Sequence, residues 1–227
     1  MSFTVNTIND LEKGNLGANG IVGAGMGIAV GAALTQLVKK TGKIVVAFFG
    51  DGAVNEGIFH ETLNMASIWK LPVIFYSINN KYGISTPIEN VINIDYNYKR
   101  ASSYGIPGHF IEDGNNLLDV YNKFTELVDY VRAGNGPVLV ESITYRWYGH
   151  STSDAGRYRT REEVEKWKED DPIKNFKKYL VENNIATEEE VDNINKQSEE
   201  EVEKAVQFAM DSPEPSIESA FEDIFAD

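Results

Sequence analysis

Apolar residues fall into two rhythms along the first two-thirds of the chain. Three runs are almost continuously apolar and rich in β-branched or aromatic residues: Lys43–Phe49 (KIVVAFF), Pro72–Ile78 (PVIFYSI) and Val138–Tyr145 (VLVESITY). Runs of this kind predict buried strands, the first of them buried on both faces. Phe110-Ile111 predicts a shorter strand. Between the runs the rhythm changes to that of helices. Gly20–Lys40 reads as a glycine-rich loop entering a helix with a small-residue face, with Gly42 as its C-cap and Lys39 and Lys40 complementing the helix dipole. Asn55–Trp69 predicts a helix with Ile58, Thr62, Met65 and Ile68 or Trp69 on one face, and Asp95–Tyr104 a short helix. Leu117, Val120, Phe124, Leu127 and Val131 mark one face of a helix ending at Gly134. Strands alternating with helices give an α/β fold, a mostly parallel sheet flanked by helices. A helical tail follows, with segments near Glu162–Lys168, Ile173–Glu182, Glu188–Met210 and Ser216–Ala226.

Charge divides the chain in two. Of its 227 residues, 35 are acidic and 21 are Lys or Arg, a formal net charge of −14. Residues 1–150 hold 13 acids and 11 bases, whereas residues 151–227 hold 22 and 10. The expected organisation is therefore an α/β core over 1–150 and a loop with an acidic helical tail over 151–227. The acidity argues against nucleic acid as a partner, because neutralising phosphates requires clustered Lys and Arg. Cysteine is absent, which excludes disulfides, thiolate metal sites and Cys nucleophiles. No apolar run reaches the roughly 20 residues that span a bilayer, and MSFTVNTINDLEKG lacks the features of a signal peptide. A cytoplasmic location is the expectation.

Several familiar motifs fail on inspection. Gly23-Ala24-Gly25-Met26-Gly27 hints at a dinucleotide loop, but Ile28 stands where the last glycine belongs and no strand precedes it. Gly42-Lys43 is followed by Ile44 rather than Ser or Thr, so it is not a phosphate-binding P-loop. His60-Glu61 lacks a second histidine four residues on, where Asn64 stands. His109 reads as structural or surface.

One constellation survives. Asp51 and Asn80 lie 29 residues apart, each directly after a predicted strand, with a helix between them. In a βαβ unit both then sit at the carboxyl ends of parallel strands, where α/β sheets bind ligands. A carboxylate, an amide oxygen and a carbonyl from the Asn80–Gly83 turn form a sparse hard-oxygen set suited to Mg²⁺ carrying a phosphate ligand. Gly50 and Gly52 allow close approach of phosphate, and a helix starting near Val54 points its positive end there. Two ordinary turns account for the same residues equally well.

The residues around this constellation resemble a family. GDG, a helix and NN at this spacing form the thiamine diphosphate motif. Gly17–Gly23 (GANGIVG), Gly50–Val73 (GDGAVNEGIFHETLNMASIWKLPV), Asn79–Pro87 (NNKYGISTP), Tyr145–Glu163 (YRWYGHSTSDAGRYRTREE) and Asp211–Pro215 (DSPEP) are similar to the α subunit of the E1 component of 2-oxo acid and acetoin dehydrogenase complexes. The resemblance runs from about Leu11 onward. It implies that Asp51, the Asn80 side chain and the Tyr82 carbonyl bind Mg²⁺. It implies further that Gly52 and Ala53 meet the diphosphate, and that Gly20 and Val22 contact the aminopyrimidine side of the cofactor. His150 would lie near the cofactor on a mobile loop, holding the diphosphate and assisting transfer of the acyl group to a lipoyl group. The implied reaction cleaves the C–C bond beside a carbonyl, with the cofactor ring as electron sink.

The resemblance also implies partners: an E1 β subunit in an α₂β₂ assembly and a lipoyl-bearing E2. The glutamate that activates the cofactor comes from the β chain, so this chain alone is expected to be inactive. Relatives carry further chain before the part matching Leu11, including a Tyr-Arg pair for the diphosphate that Met1–Asp10 does not replace. Either a separate N-terminal segment supplies it or this chain is a fragment. Mitochondrial members are phosphorylated at the serine after the loop histidine, here Ser151; we read Ser151 and Ser153 as loop residues. A non-catalytic assembly module retaining the fold is the alternative function, and pyruvate, branched-chain 2-oxo acids and acetoin all remain as substrates.

Overall fold

The structure is a computed structural model that describes residues 9–222. In chain order the principal elements are α1 (Ala24–Lys39), β1 (Val45–Gly50), α2 (Gly57–Trp69), β2 (Val73–Asn79), β3 (Tyr82–Gly83), β4 (Thr86–Pro87), β5 (Gly108–Ile111), α3 (Leu117–Arg132), β6 (Val138–Ile143), α4 (Arg161–Glu169), α5 (Pro172–Glu182) and α6 (Glu188–Asp211). Four strands form one sheet in the order β1-β2-β6-β5, and every neighbouring pair is parallel. The expected α/β architecture is the observed one.

Helices cover the sheet on both faces, which explains why its central strands β2 and β6 are buried and largely apolar. On one face Phe49, Val73, Phe75 and Leu139 pack with Met26 and Ala33 of α1 and Phe59 and Leu63 of α2. On the other, Ile74, Tyr76, Val138 and Val140 meet Leu127 and Val131 of α3. Each large side chain buried in this way contributes roughly 1.5–3 kcal/mol. Asn116 caps α3, its Oδ1 accepting from the Leu118 and Asp119 amides. Among the described residues no helix is long and apolar enough to cross a membrane.

Four local expectations are corrected. β1 is an edge strand of this sheet and its second face is only partly covered: Val46 is half-buried on the α3 side, whereas Phe48 is 62% exposed. The buried face of α2 is Phe59, Thr62, Leu63 and Ala66, with Ile68 exposed, because the helix lays its Phe59-Leu63-Ala66 stripe on the sheet. The left-handed cap of α1 is Lys40 (φ 51°), whose N–H donates to the Gln36 and Leu37 carbonyls, so Gly42 lies beyond it. The Asp95–Tyr104 segment is a 3₁₀ helix over Asn97–Tyr104. At the far end Glu218–Phe221 forms a 3₁₀ turn; the remainder of the predicted Ser216–Ala226 helix, past residue 222, lies outside the described residues.

The chain forms two compact units, Met1–Lys174 and Asn175–Asp227. This division differs from the one drawn at residue 150 from charge. The Tyr145–Thr160 loop and α4 belong with the sheet because Glu163 accepts from Tyr82 and Tyr145, and Trp167 stacks on Tyr145 at 5.2 Å. In the second unit α6 opens with a capping box, Thr187 and Glu190 each bonding the other's backbone N–H.

Candidate functional site

Asp51 leaves β1 and Asn80 leaves β2 at the same end of two paired strands, Gly50 being in register with Ile78. The neighbouring placement expected from the sequence is thus realised. Asp51 is 2% exposed, and its Oδ2 is buried without a hydrogen-bond partner. Burial pushes its pKa up, while the backbone amides of Asp51 and Asn80, and then the Arg146 and Lys81 charges, pull it down. A buried carboxylate oxygen with no donor is costly. It is also an atom that a hard cation takes readily, so the donor chemistry fits a divalent ion.

The second half of the site is a tight turn. Lys81 is left-handed (φ 74°), and the Tyr82 N–H donates to Asn80 Oδ1 at 3.3 Å. The short hairpin β3–β4 follows, and Gly83 lies so near Gly52 that a Cβ on Gly52 would stand 3.7 Å from the Gly83 Cα. The Asp51 turn and the Asn80 turn therefore meet through two glycines. The Tyr82 carbonyl accepts from Arg146 Nη1 at 3.2 Å. The Tyr82 phenol donates to Glu163 at 2.9 Å; burial and that carboxylate push it up to about 12.

Gly52 is half-buried and Ala53 is buried within a 3₁₀ turn over Asp51–Asn55. That turn separates Asp51 from α2, which starts at Gly57 rather than near Val54. Gly20 and Val22 are exposed in the loop before α1, where Asn19 Oδ1 accepts from the Ile21 amide at 2.8 Å. Gly23 (φ +79°) ends this loop against Ile58 and Glu56, so the loop comes to the start of α2. His150 is exposed, and its backbone N–H donates to Asp154 Oδ2 at 2.7 Å.

The His150 loop is tied down by charge. Arg146 donates to the carbonyls of Tyr82, Ile84 and Tyr148 and to the Tyr158 hydroxyl. Arg159 donates to the carbonyls of Arg146, Trp147 and Tyr148. Asp154 accepts from the His150 and Gly156 amides and from Tyr158, which holds its pKa down at about 2. A Cβ at Gly149 would collide with the Asp154 carbonyl oxygen, so this close approach requires glycine.

Sequence reasoning missed Asn79, Asn97, Arg146, Glu141 and Glu163. Glu141 is fully buried on β6 and accepts from Asn79 Nδ2 at 2.7 Å and the Tyr98 amide at 3.0 Å. Burial raises its pKa. A carboxylate inside an apolar run of a parallel strand was the available signal, since both faces of such a strand are covered.

A model of the dehydrogenase E1 component family matches residues 4–218. The chain belongs to that family. It is 45% identical over 219 residues to the α subunit of acetoin:2,6-dichlorophenolindophenol oxidoreductase of Bacillus subtilis, a match covering 96% of this chain and 65% of that protein. It is 38% identical over 216 residues to the pyruvate dehydrogenase E1 component subunit α of Rickettsia typhi, covering 95% and 66%. The testis-specific mitochondrial form of that subunit from Rattus norvegicus is 41% identical over 209 residues, covering 91% and 52%. The chain thus spans somewhat under two-thirds of the length of the curated E1 relatives it matches.

Proposed function

We propose that this chain is the α-type portion of a thiamine diphosphate-dependent E1 enzyme. With an E1 β subunit it would cleave the C–C bond of a 2-oxo acid or acetoin and pass the acyl group to lipoyl-E2, in the cytoplasm. Membership of the E1 family supports the reading. The observation that carries it is the buried, unpartnered Asp51 oxygen set beside the Asn80–Tyr82 turn at the carboxyl end of a parallel sheet.

Asp51 supplies the negative charge for Mg²⁺, and Asn80 Oδ1 and the Tyr82 carbonyl supply neutral oxygens. Gly52 and Ala53 present backbone amides to the diphosphate. Gly20 and Val22 border the aminopyrimidine side. His150 would help hold the diphosphate and would assist acyl transfer. When bound, the cofactor supplies the electron sink for the C–C cleavage. Arg146 donates to the Tyr82 carbonyl and to the Tyr148 carbonyl, tying the Asn80–Tyr82 turn to the loop that carries His150.

Calorimetric titration of thiamine diphosphate with Mg²⁺, into this chain with its β subunit and the remaining α-type segment, tests the reading. Binding that requires Mg²⁺ and is lost in Asp51→Ala supports it. Absence of binding in the reconstituted assembly overturns it in favour of a non-catalytic assembly module.

A further inference from the structure

The two halves of the cation site come from different strands, and one residue outside both reaches each of them. Glu141 lies on β6, next to β2 in the sheet, and is fully buried. Its Oε1 accepts from Asn79 Nδ2 at 2.7 Å. Asn79 in turn accepts at Oδ1 from the Lys81 amide at 3.1 Å, and its carbonyl accepts from the Thr144 amide at 2.9 Å. That arm sets the turn on which Asn80 Oδ1 and the Tyr82 carbonyl sit. The other arm starts at Oε2, which accepts from the Tyr98 amide at 3.0 Å, one residue along the chain from Asn97. Asn97 is fully buried, and its Nδ2 reaches the Asp51 carbonyl at 3.4 Å.

Both hydrogen bonds made by the carboxylate, from Asn79 Nδ2 and from the Tyr98 amide, ask Glu141 to accept. A carboxylate offers only acceptors, whereas an amide of the same shape must turn an NH₂ toward a donor. A buried charge is retained only where its hydrogen bonds are complete. We propose that Glu141 is a positioning residue that fixes the spacing between the Asp51 and Asn80–Tyr82 halves of the Mg²⁺–diphosphate site. The proposal rests on the function proposed above. It separates the roles of the Asn79-Asn80 pair, in which Asn80 faces the ligand while Asn79 transmits the position of Glu141 to the turn.

Glu141→Gln in the full chain, assembled with its β subunit and the remaining α-type segment, provides the test, with Asn79→Ala as a second route to the same arm should Glu141→Gln fold poorly. Two readouts are taken. The first is the Mg²⁺-dependent affinity for thiamine diphosphate, expected to fall roughly 10–100-fold as for partners that orient metal ligands. The double variant should lose little more than either single one, since both break one connection. The second is amide exchange in the cofactor-free full chain. Exchange should quicken at Lys81 and Tyr98 in Glu141→Gln, while the amides of Phe75 and Val140 in the sheet keep their protection. Unchanged affinity, or affinity lost only in step with protection across the whole sheet, overturns the proposal. If the wild-type assembly takes no cofactor, the functional reading falls, and exchange at Lys81 and Tyr98 still decides on Glu141: unchanged rates there refute its positioning role.

Discussion

A buried carboxylate with an unpartnered oxygen works against the fold that carries it, a cost that a bound cation would relieve. Asp51 is in that state. Asp51→Asn removes the buried charge, so the cofactor-free chain should melt no lower than wild type. The penalty relieved is on the order of 1–3 kcal/mol, offset where the new amide finds no acceptor. Stabilisation by Mg²⁺ should disappear in the same variant. A thermal scan with and without Mg²⁺ reads both; a variant that melts well below wild type yet keeps its Mg²⁺ response would contradict this account of Asp51. The pH dependence follows from the same carboxylate. Burial raises its folded pKa above the usual 3.8, so its charge is a destabilising feature above that raised value, relieved as pH falls through it. Protons then compete with the cation. The rise in melting temperature produced by Mg²⁺ should therefore shrink as pH falls through that raised value. An increment that stays constant down to pH 3.8 would count against the raised pKa.

Between single residues and the whole chain stands the Tyr145–Thr160 loop, which has no regular structure and is organised by side chains. Asp154 gathers three donors, and its pKa is lowered to about 2. The depressed value means its contribution is present above 3.8 and is lost as pH falls through about 2. Amide protection at His150 and Gly156 should persist near pH 4 and vanish close to that lower limit. Gly149→Ala should abolish it at neutral pH, because the added methyl meets the Asp154 carbonyl. Retained protection in Gly149→Ala would show that the loop does not depend on this contact. None of this order was legible in the sequence, where Tyr145–Glu163 stood out only as a family block. Its bonds run from Arg146 to Tyr82 and Ile84, more than 60 residues away. The strands were legible because apolar runs report burial locally. Helix faces were less so: in α2, Ile58, Met65 and Ile68 form as good a stripe as Phe59, Leu63 and Ala66, and only the sheet decides between them. Asp51 and Asn80 were legible because strand ends position them. Glu141 was not, since its donors come from Asn79 and Tyr98, which are 62 and 43 residues away in sequence.

On the scale of the whole molecule, two surface properties oppose each other. A formal net charge of −14 and a pI near 4.7 repel copies of the chain from one another at neutral pH. Against this, β1 ends the sheet with Phe48 62% exposed beside Tyr76, and α1 leaves Ile28, Leu37 and Val38 exposed. An edge strand with exposed apolar side chains is a template for association. Which effect wins depends on screening. In dilute salt the charges act over tens of ångströms, whereas near 1 M salt their reach falls to about 3 Å and the apolar contact is left to act alone. The isolated chain should therefore be predominantly monomeric at low ionic strength and should associate as salt is raised or as pH approaches 4.7. Phe48→Glu adds a like charge to the edge and removes the largest apolar group there, so it should shift the onset of association to higher salt. Sedimentation velocity across a salt series measures this directly for both proteins. Monomers at every ionic strength would mean that the exposed edge contributes too little to matter. Association that weakens with added salt would show that opposite charges, rather than Phe48 and its neighbours, hold the copies together.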